Sequence, residues 1–185
     1  MPLSPSVPRE HIHSRQIELR GYRREDGLWD IEGHLTDTKT YGFTSEFRGE
    51  VEPGMPIHDM WLRLTVDDNL IIRGVEAVTG ASPYRICPEI TPNFQRLVGL
   101  QIKPGFNGKV KQLLGGVEGC THLVELVGPL ATTAFQTVFP WKNRFGDKEG
   151  RAPAGKRPRL LETCHAFATD SDVVKRLWPE FYTGS

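Results

Sequence analysis

The stretch GGVEGCTHLVELVGPL, residues 115–130, sets Cys120 and His122 two residues apart where a glycine turn gives way to an apolar helix. Thr121 is a cap-type residue, so Cys120 falls just outside a helix N-terminus, where the positive end of the dipole favours a thiolate. His122, in the first turn, can hold a neighbouring proton, and Glu125, three residues on, shares its face. That polar stripe continues through Thr132 or Thr133 to Gln136. It runs beside an apolar stripe of Leu123, Leu126, Val127, Leu130, Ala134 and Val138. A helix that only packs has little use for the second stripe. The plainer reading stays open: free cysteine also serves as a small core hydrophobe, and His122 can simply bond a backbone carbonyl. Cys-x-His alone is too short for a zinc motif, and the chain has no Cys-x-x-Cys.

A second set of polar groups falls on alternating segments. His34, Thr36 and Thr38 share one strand face, while Asp37 and Lys39 share the other with Leu35. His58 and Asp59 point to opposite faces, Arg63 lies on the Asp59 face, and Glu76 follows on the next strand. His, Asp and Glu in proximity build a mixed nitrogen and oxygen metal site or a general acid–base pair. The competing reading makes Asp59–Arg63 a surface ion pair of about 0–1 kcal/mol. His11 and His13 point to one side of an extended segment, but two ligands beside a proline-rich arm suggest stray metal affinity or simple exposure. Cys164 and His165 are adjacent, and in a strand they face opposite ways.

The elements that must position these groups change character near residue 90. From about 14 to 80 the apolar period is two, as in GLWDIEGHLTDTK and IHDMWLRLTVDDN, with Asp67-Asp68-Asn69 as a turn. Four or five strands in an antiparallel meander with one buried face are predicted. Beyond 90 the period is helical. Thr91 before Pro92 predicts a cap, PGFNGKVKQLLGG a short helix ended by Gly115 and Gly116, and Pro129 a kink or restart of the helix after Thr121. Residues 1–10 read as a mobile arm. Residues 143–158 read as an exposed loop open to proteolysis, and GKRPR at 155–159 as a candidate contact for an acidic ligand. The closing RLLETCHAFATDSDVVKRLWP reads as a hairpin or strand pair. Strands followed by helices define an α+β fold, an N-terminal antiparallel sheet packed against C-terminal helices, in one domain over 1–185.

Composition narrows the function classes. Hydrophobic residues at 38% and charged residues at 25% fit a globular chain. The 23 basic and 23 acidic residues cancel, which leaves no chain-wide footprint for nucleic acid. Three cysteines are too few for a disulfide framework and suit a reducing compartment. No segment reads as a signal peptide or membrane span, so a cytoplasmic location is expected. There is no Gly-x-Gly-x-x-Gly, phosphate loop or Gly-x-Ser-x-Gly, so no nucleotide cofactor is expected.

The phrases DGLWDIEGHLTDTK, PGMPIHDMWLRLTVD, VEAVTGASPYRICPEITPN, LVGLQIKPGFN and GGVEGCTHLVELVGPLATTAFQ resemble an uncharacterised bacterial family, the DUF2889-like domain of unknown function. The likeness runs from about residue 12 to TCHAFATDSDVVKRLWP. It implies a single-domain bacterial protein, points weakly to aromatic compound metabolism, and carries over no catalytic residue.

The leading expectation is a small enzyme, a hydrolase or lyase of a small anionic or aromatic molecule. In one version Cys120 is a nucleophile with His122 as proton partner, and Arg63 or Lys39, with Gln136, binds substrate. In the other, His34, His58, His122 and Glu125 hold a divalent metal such as zinc that activates water. Cys120, His122 and Glu125 are the candidate catalytic residues. The alternative is a non-catalytic ligand-binding or interaction module, with the second polar stripe available for a homodimer.

Overall fold

The computed structural model describes residues 3–145 and 157–184. The chain divides into two compact units, residues 1–140 and 141–185.

The first unit is an antiparallel sheet with helices on one face, as the change of period predicts. Its long strands are β1 (His13–Arg23), β2 (Trp29–Lys39), β5 (Pro56–Val66) and β6 (Ile72–Ala81), in the order β1-β2-β5-β6. A small hairpin, β3 (Phe43–Ser45) with β4 (Gly49–Val51), is inserted between β2 and β5. The alternation sorts the two faces. Trp29, Ile31, Leu35, Met60, Leu62, Leu64, Val66 and Ile72 are buried on one side. His34, Trp61, Arg63 and Glu76 occupy the other, where the register aligns His34 with Trp61 and Arg63 with Glu76. The β5–β6 turn follows its sequence chemistry: the Asp67 carboxylate accepts from the backbone N–H groups of Asn69 and Ile71.

Helices α1 (Phe106–Leu114) and α2 (Thr121–Phe145) lie where the helical period places them, with Gly115 capping α1. Helix α2 buries Leu123, Leu126, Val127, Leu130, Ala134 and Val138, the predicted apolar stripe, together with Ala131. It runs close over β1 and β2 because two glycines give it room. A Cβ on Gly33 would stand 3.1 Å from Leu19 and 3.2 Å from Leu130, and one on Gly21 would lie 2.8 Å from Thr137 Cβ. Gly21→Ala therefore forces the helix off the sheet, and a chemical denaturation curve should show a loss of about 1–3 kcal/mol. An unchanged midpoint would place α2 farther from β1 than described.

Several local expectations need correction. The segment before α1 is a 3-10 helix, Cys87–Leu97, with Pro92 inside it, not an α-helix starting after Thr91. Thr91 Oγ1 instead donates to the Pro88 carbonyl, and close prolines favour the tighter turn. Helix α2 is not restarted at Pro129 and runs through both Pro129 and Pro140, carried by the apolar stripe it buries. The C-terminal segment forms no strand pair among the described residues. It has a 3-10 turn, His165–Phe167, and helix α3 (Asp172–Leu177), whose Ser171 cap accepts from the Val174 N–H. Residues 3–10 are exposed and without regular structure. Of the expected loop 143–158, residues 143–145 finish α2 and 146–156 lie outside the described residues, Gly155 and Lys156 of GKRPR among them.

Candidate functional site

Asp37 is the one polar or charged side chain buried among the described residues, at 1% exposure. Strand alternation puts it on the face of Leu35 and Ile31, toward α2. The ladder with β5 shifts register between Asp37 and Thr38. Such irregularities re-aim side chains at the end of a regular pairing. Here the shift follows the Asp37–His58 pair, whose side chains meet on the helix side.

Four bonds converge on this carboxylate. Arg15 Nε donates to Oδ1 and Nη2 to Oδ2, each at 2.8 Å, a bidentate fork from β1. His13 Nε2 lies 3.1 Å from Oδ1, and His58 Nδ1 lies 2.9 Å from Oδ2. Arg15 also bonds Glu125 on α2 through Nη1. His122, from the first turn of α2, stacks on His58 with ring centroids 3.6 Å apart and 27° between planes. Its Nε2 stands 3.8 Å from Asp37 Oδ2, and its Nδ1 stands 3.9 Å from Cys120 Sγ. Cys120 is the residue before α2, and its carbonyl accepts the first helical bond, from Val124.

The electrostatics follow from burial. Desolvation disfavours charge on Asp37, but the bonds from Arg15 and His58 and the Arg15 charge outweigh it and bring the carboxyl down to about 2. Burial lowers the His58 pKa against the pull of Asp37. Burial also lowers His122, reinforced by the positive charge that His58 and Arg15 carry or can carry. At neutral pH the centre therefore presents one carboxylate and two neutral imidazoles, each with a lone pair to give to a proton or a cation.

Of the candidate residues, His58, His122, Glu125 and Cys120 gather here. His34 does not. It lies on the opposite face, with Nε2 2.7 Å from Asp59 Oδ1 and its ring stacked on Trp61 at 3.7 Å. The expected metal set mixes residues from two sides of one sheet. Arg63 is also on that far face, bonded to Glu32 and Glu76 rather than paired with Asp59. Glu76 and Asp37 thus face different spaces. Lys39 follows Asp37 on the near face but donates to the Tyr41 hydroxyl. Gln136 is exposed on α2, eleven residues beyond Glu125, or about 16 Å along the axis. Neither reaches the centre.

Sequence reasoning misses or undervalues three members of the centre. Asp37 has its signal, sharing a strand face with Leu35. His13 is grouped with His11 as a stray ligand, yet it bonds Asp37, while the His11 ring bonds its neighbours, the His13 carbonyl and the Ser14 hydroxyl. Arg15 has no local signal; its role depends on the β1–β2 register, which pairs Arg15 with Asp37.

Fold and site together define an antiparallel sheet backed by a helix, with a histidine–carboxylate centre where the two meet. The chain belongs to the family described as protein of unknown function (DUF2889), whose model matches residues 13–136, a span that begins at His13 and contains the whole centre. Neither a curated protein nor a solved structure matches the chain.

Proposed function

We propose that the chain is an enzyme, a hydrolase or lyase of a small organic molecule, working through a divalent transition metal held by Asp37, His58 and His122. One observation carries this reading: residues from β2, β5 and α2 each bring one ligand-type atom to within 4.8 Å of the others. Two imidazoles and a carboxylate are the donor set of hydrolytic zinc sites and of open-sided iron sites. Donor atoms about 2.1 Å from one ion stand about 3.0–3.4 Å apart. The separations of 2.9 and 3.8 Å from Asp37 Oδ2 bracket that range, and an ion there would displace the proton that His58 Nδ1 gives to Asp37, as metal binding to histidine does. The stacked rings are too nearly parallel for both to ligate, so binding turns them apart.

The bound ion would supply Lewis acidity. The chain's residues do the rest. Arg15 and His13 fix Asp37, as outer partners of a ligand carboxylate do. Glu125, held by Arg15 on the next turn from His122, is placed to accept a proton from substrate or water. The setting we infer is a bacterial cytoplasm. The free state of Cys87, Cys120 and Cys164 supports a reducing compartment, and no helix among the described residues is long and apolar enough to cross a membrane. A role in aromatic compound metabolism rests on the sequence resemblance alone.

A second reading rests on a different observation. Cys120 Sγ faces His122 Nδ1, and His122 Nε2 faces Asp37, which is the order nucleophile, base, orienting carboxylate. Titration of zinc or cobalt into chelator-stripped protein separates the two. The metal reading expects one ion per chain and a loss of at least about 100-fold in affinity for His58→Ala and for His122→Ala. It expects no change for Cys120→Ser or His34→Ala. A stripped chain that takes up no stoichiometric ion overturns it. Iodoacetamide labelling of Cys120 faster than of the exposed Cys164 would then support the thiol reading.

A further inference from the structure

Between α1 and the start of α2 lies a cleft of about 380 Å³, with Asn107, Val110, Lys111, Leu114, Glu125 and Gly128 on its walls. That is within the range of small-molecule sites. Glu125 ties it to the centre, since the Arg15 that bonds Glu125 also holds Asp37.

The sequence keeps this space open at a cost to the helix. Gly128 sits inside α2, where glycine is a poorer helix former than alanine. It has no positive φ, and a Cβ there would meet nothing closer than the Asn107 amide at 3.9 Å. Neither backbone conformation nor packing requires glycine. The residue after it, Pro129, has no N–H to give the Glu125 carbonyl. The helix-weakening glycine on the cleft wall is thus followed at once by a second helix-weakening residue. Val110 and Leu114 are buried beneath it.

The charges are unequal. The Glu125 carboxylate is already paired with Arg15. The Lys111 side chain has no ion pair or hydrogen bond among the described residues, nor has that of Asn107, one turn earlier on the same face of α1. The polar groups of the cleft without a protein partner are thus a cation and an amide, both facing solvent above an apolar floor.

We propose that this cleft binds an amphipathic organic acid with an apolar body of about five to eight carbons, its carboxylate on Lys111 and Asn107 and its body across Gly128. That the acid is the substrate of the neighbouring centre rests on the catalytic reading above; the binding itself does not.

The test is an amide NMR titration of chelator-stripped protein with hexanoate, cyclohexanecarboxylate and the neutral hexanamide. Both acids should give saturable shifts at Gly115, Gly116 and Gly128, with hexanamide at least tenfold weaker. Lys111→Met, a change at an exposed position, should erase that preference. Gly128→Leu should weaken both acids at least tenfold while zinc affinity is retained. No saturable shift at these glycines, equal binding of hexanamide, or full acid binding by Gly128→Leu would each overturn the proposal. Should Gly128→Leu not fold, the Lys111→Met comparison decides. Zinc titration of the same samples keeps the two readings apart: acids without zinc overturn the metal, and zinc without acids overturns the cleft.

Discussion

Asp37→Asn should cost the first unit about 3 kcal/mol of stability and, on the proposed metal reading, abolish zinc uptake. The carboxylate is 1% exposed and accepts from Arg15 twice, from His13 and from His58. Asparagine keeps the shape but loses the charge and turns an NH2 group toward donors. Whichever way the amide is placed, one oxygen position that accepted two bonds becomes a donor facing donors. Breaking a buried pair on one side costs about 3–5 kcal/mol, because the surviving partner keeps its desolvation and loses its counter-charge. Arg15 is partly exposed and retains Glu125, which puts the expected value at the low end. Urea unfolding followed by tryptophan fluorescence measures it. A loss below about 1 kcal/mol would show that solvent, not Asp37, satisfies Arg15 and His58.

Acidification of the chelator-stripped protein should destabilise it in two stages. The first belongs to His58 and His122. Both have folded values below the ordinary 6.5, chiefly because burial disfavours the imidazolium. Near and below pH 6.5 the unfolded chain therefore binds more protons than the folded one, and stability falls as pH falls until the lowered folded values are passed. The stacked rings make the second protonation harder than the first, since two imidazoliums 3.6 Å apart repel. The second stage belongs to Asp37, whose folded value is about 2 against an ordinary 3.8. Its contribution is complete above 3.8 and is lost on the way down to about 2. It amounts to on the order of 2 kcal/mol. Urea midpoints from pH 8 to pH 2 should show both steps, and His122→Gln should shrink the first alone. A midpoint that stays level between pH 8 and 5 would mean that neither histidine is shielded from water.

Much of this centre is legible in the sequence alone. The period of two sorts the faces correctly: Asp37 with Leu35, His58 with Met60, and His34 and Arg63 opposite. A metal set that groups His34 with His58 goes against that alternation, and the sheet separates them as the alternation requires. The apolar stripe of α2 and the polar one beginning at Cys120 and His122 are legible for the same reason, since 3.6-residue spacing is a local property. Pairing is not. Arg15 becomes a member only through the β1–β2 register, in which Arg15 stands opposite Asp37. No local feature of RQIELRGYR sets that alignment. The 3-10 segment over Cys87–Leu97 and the helix over Asp172–Leu177 depart from expectation because proline and cap chemistry outweigh periodicity in weak or short helices.

The bond between Arg15 and Glu125 joins residues 110 apart in the chain. Its consequence lies in the order of events as the protein forms. Contacts this remote carry the largest loop-closure entropy and lag behind the hairpins and the isolated turns of α2. A ribosome that has released β1, β2 and β5 has made Arg15, Asp37 and His58 but not His122 or Glu125. At that stage the Arg15–Asp37–His58 bonds of the sheet lack both partners from α2. The centre is completed when α2 settles on the finished sheet, so one docking step gives the chain both its closed core and its competence to bind.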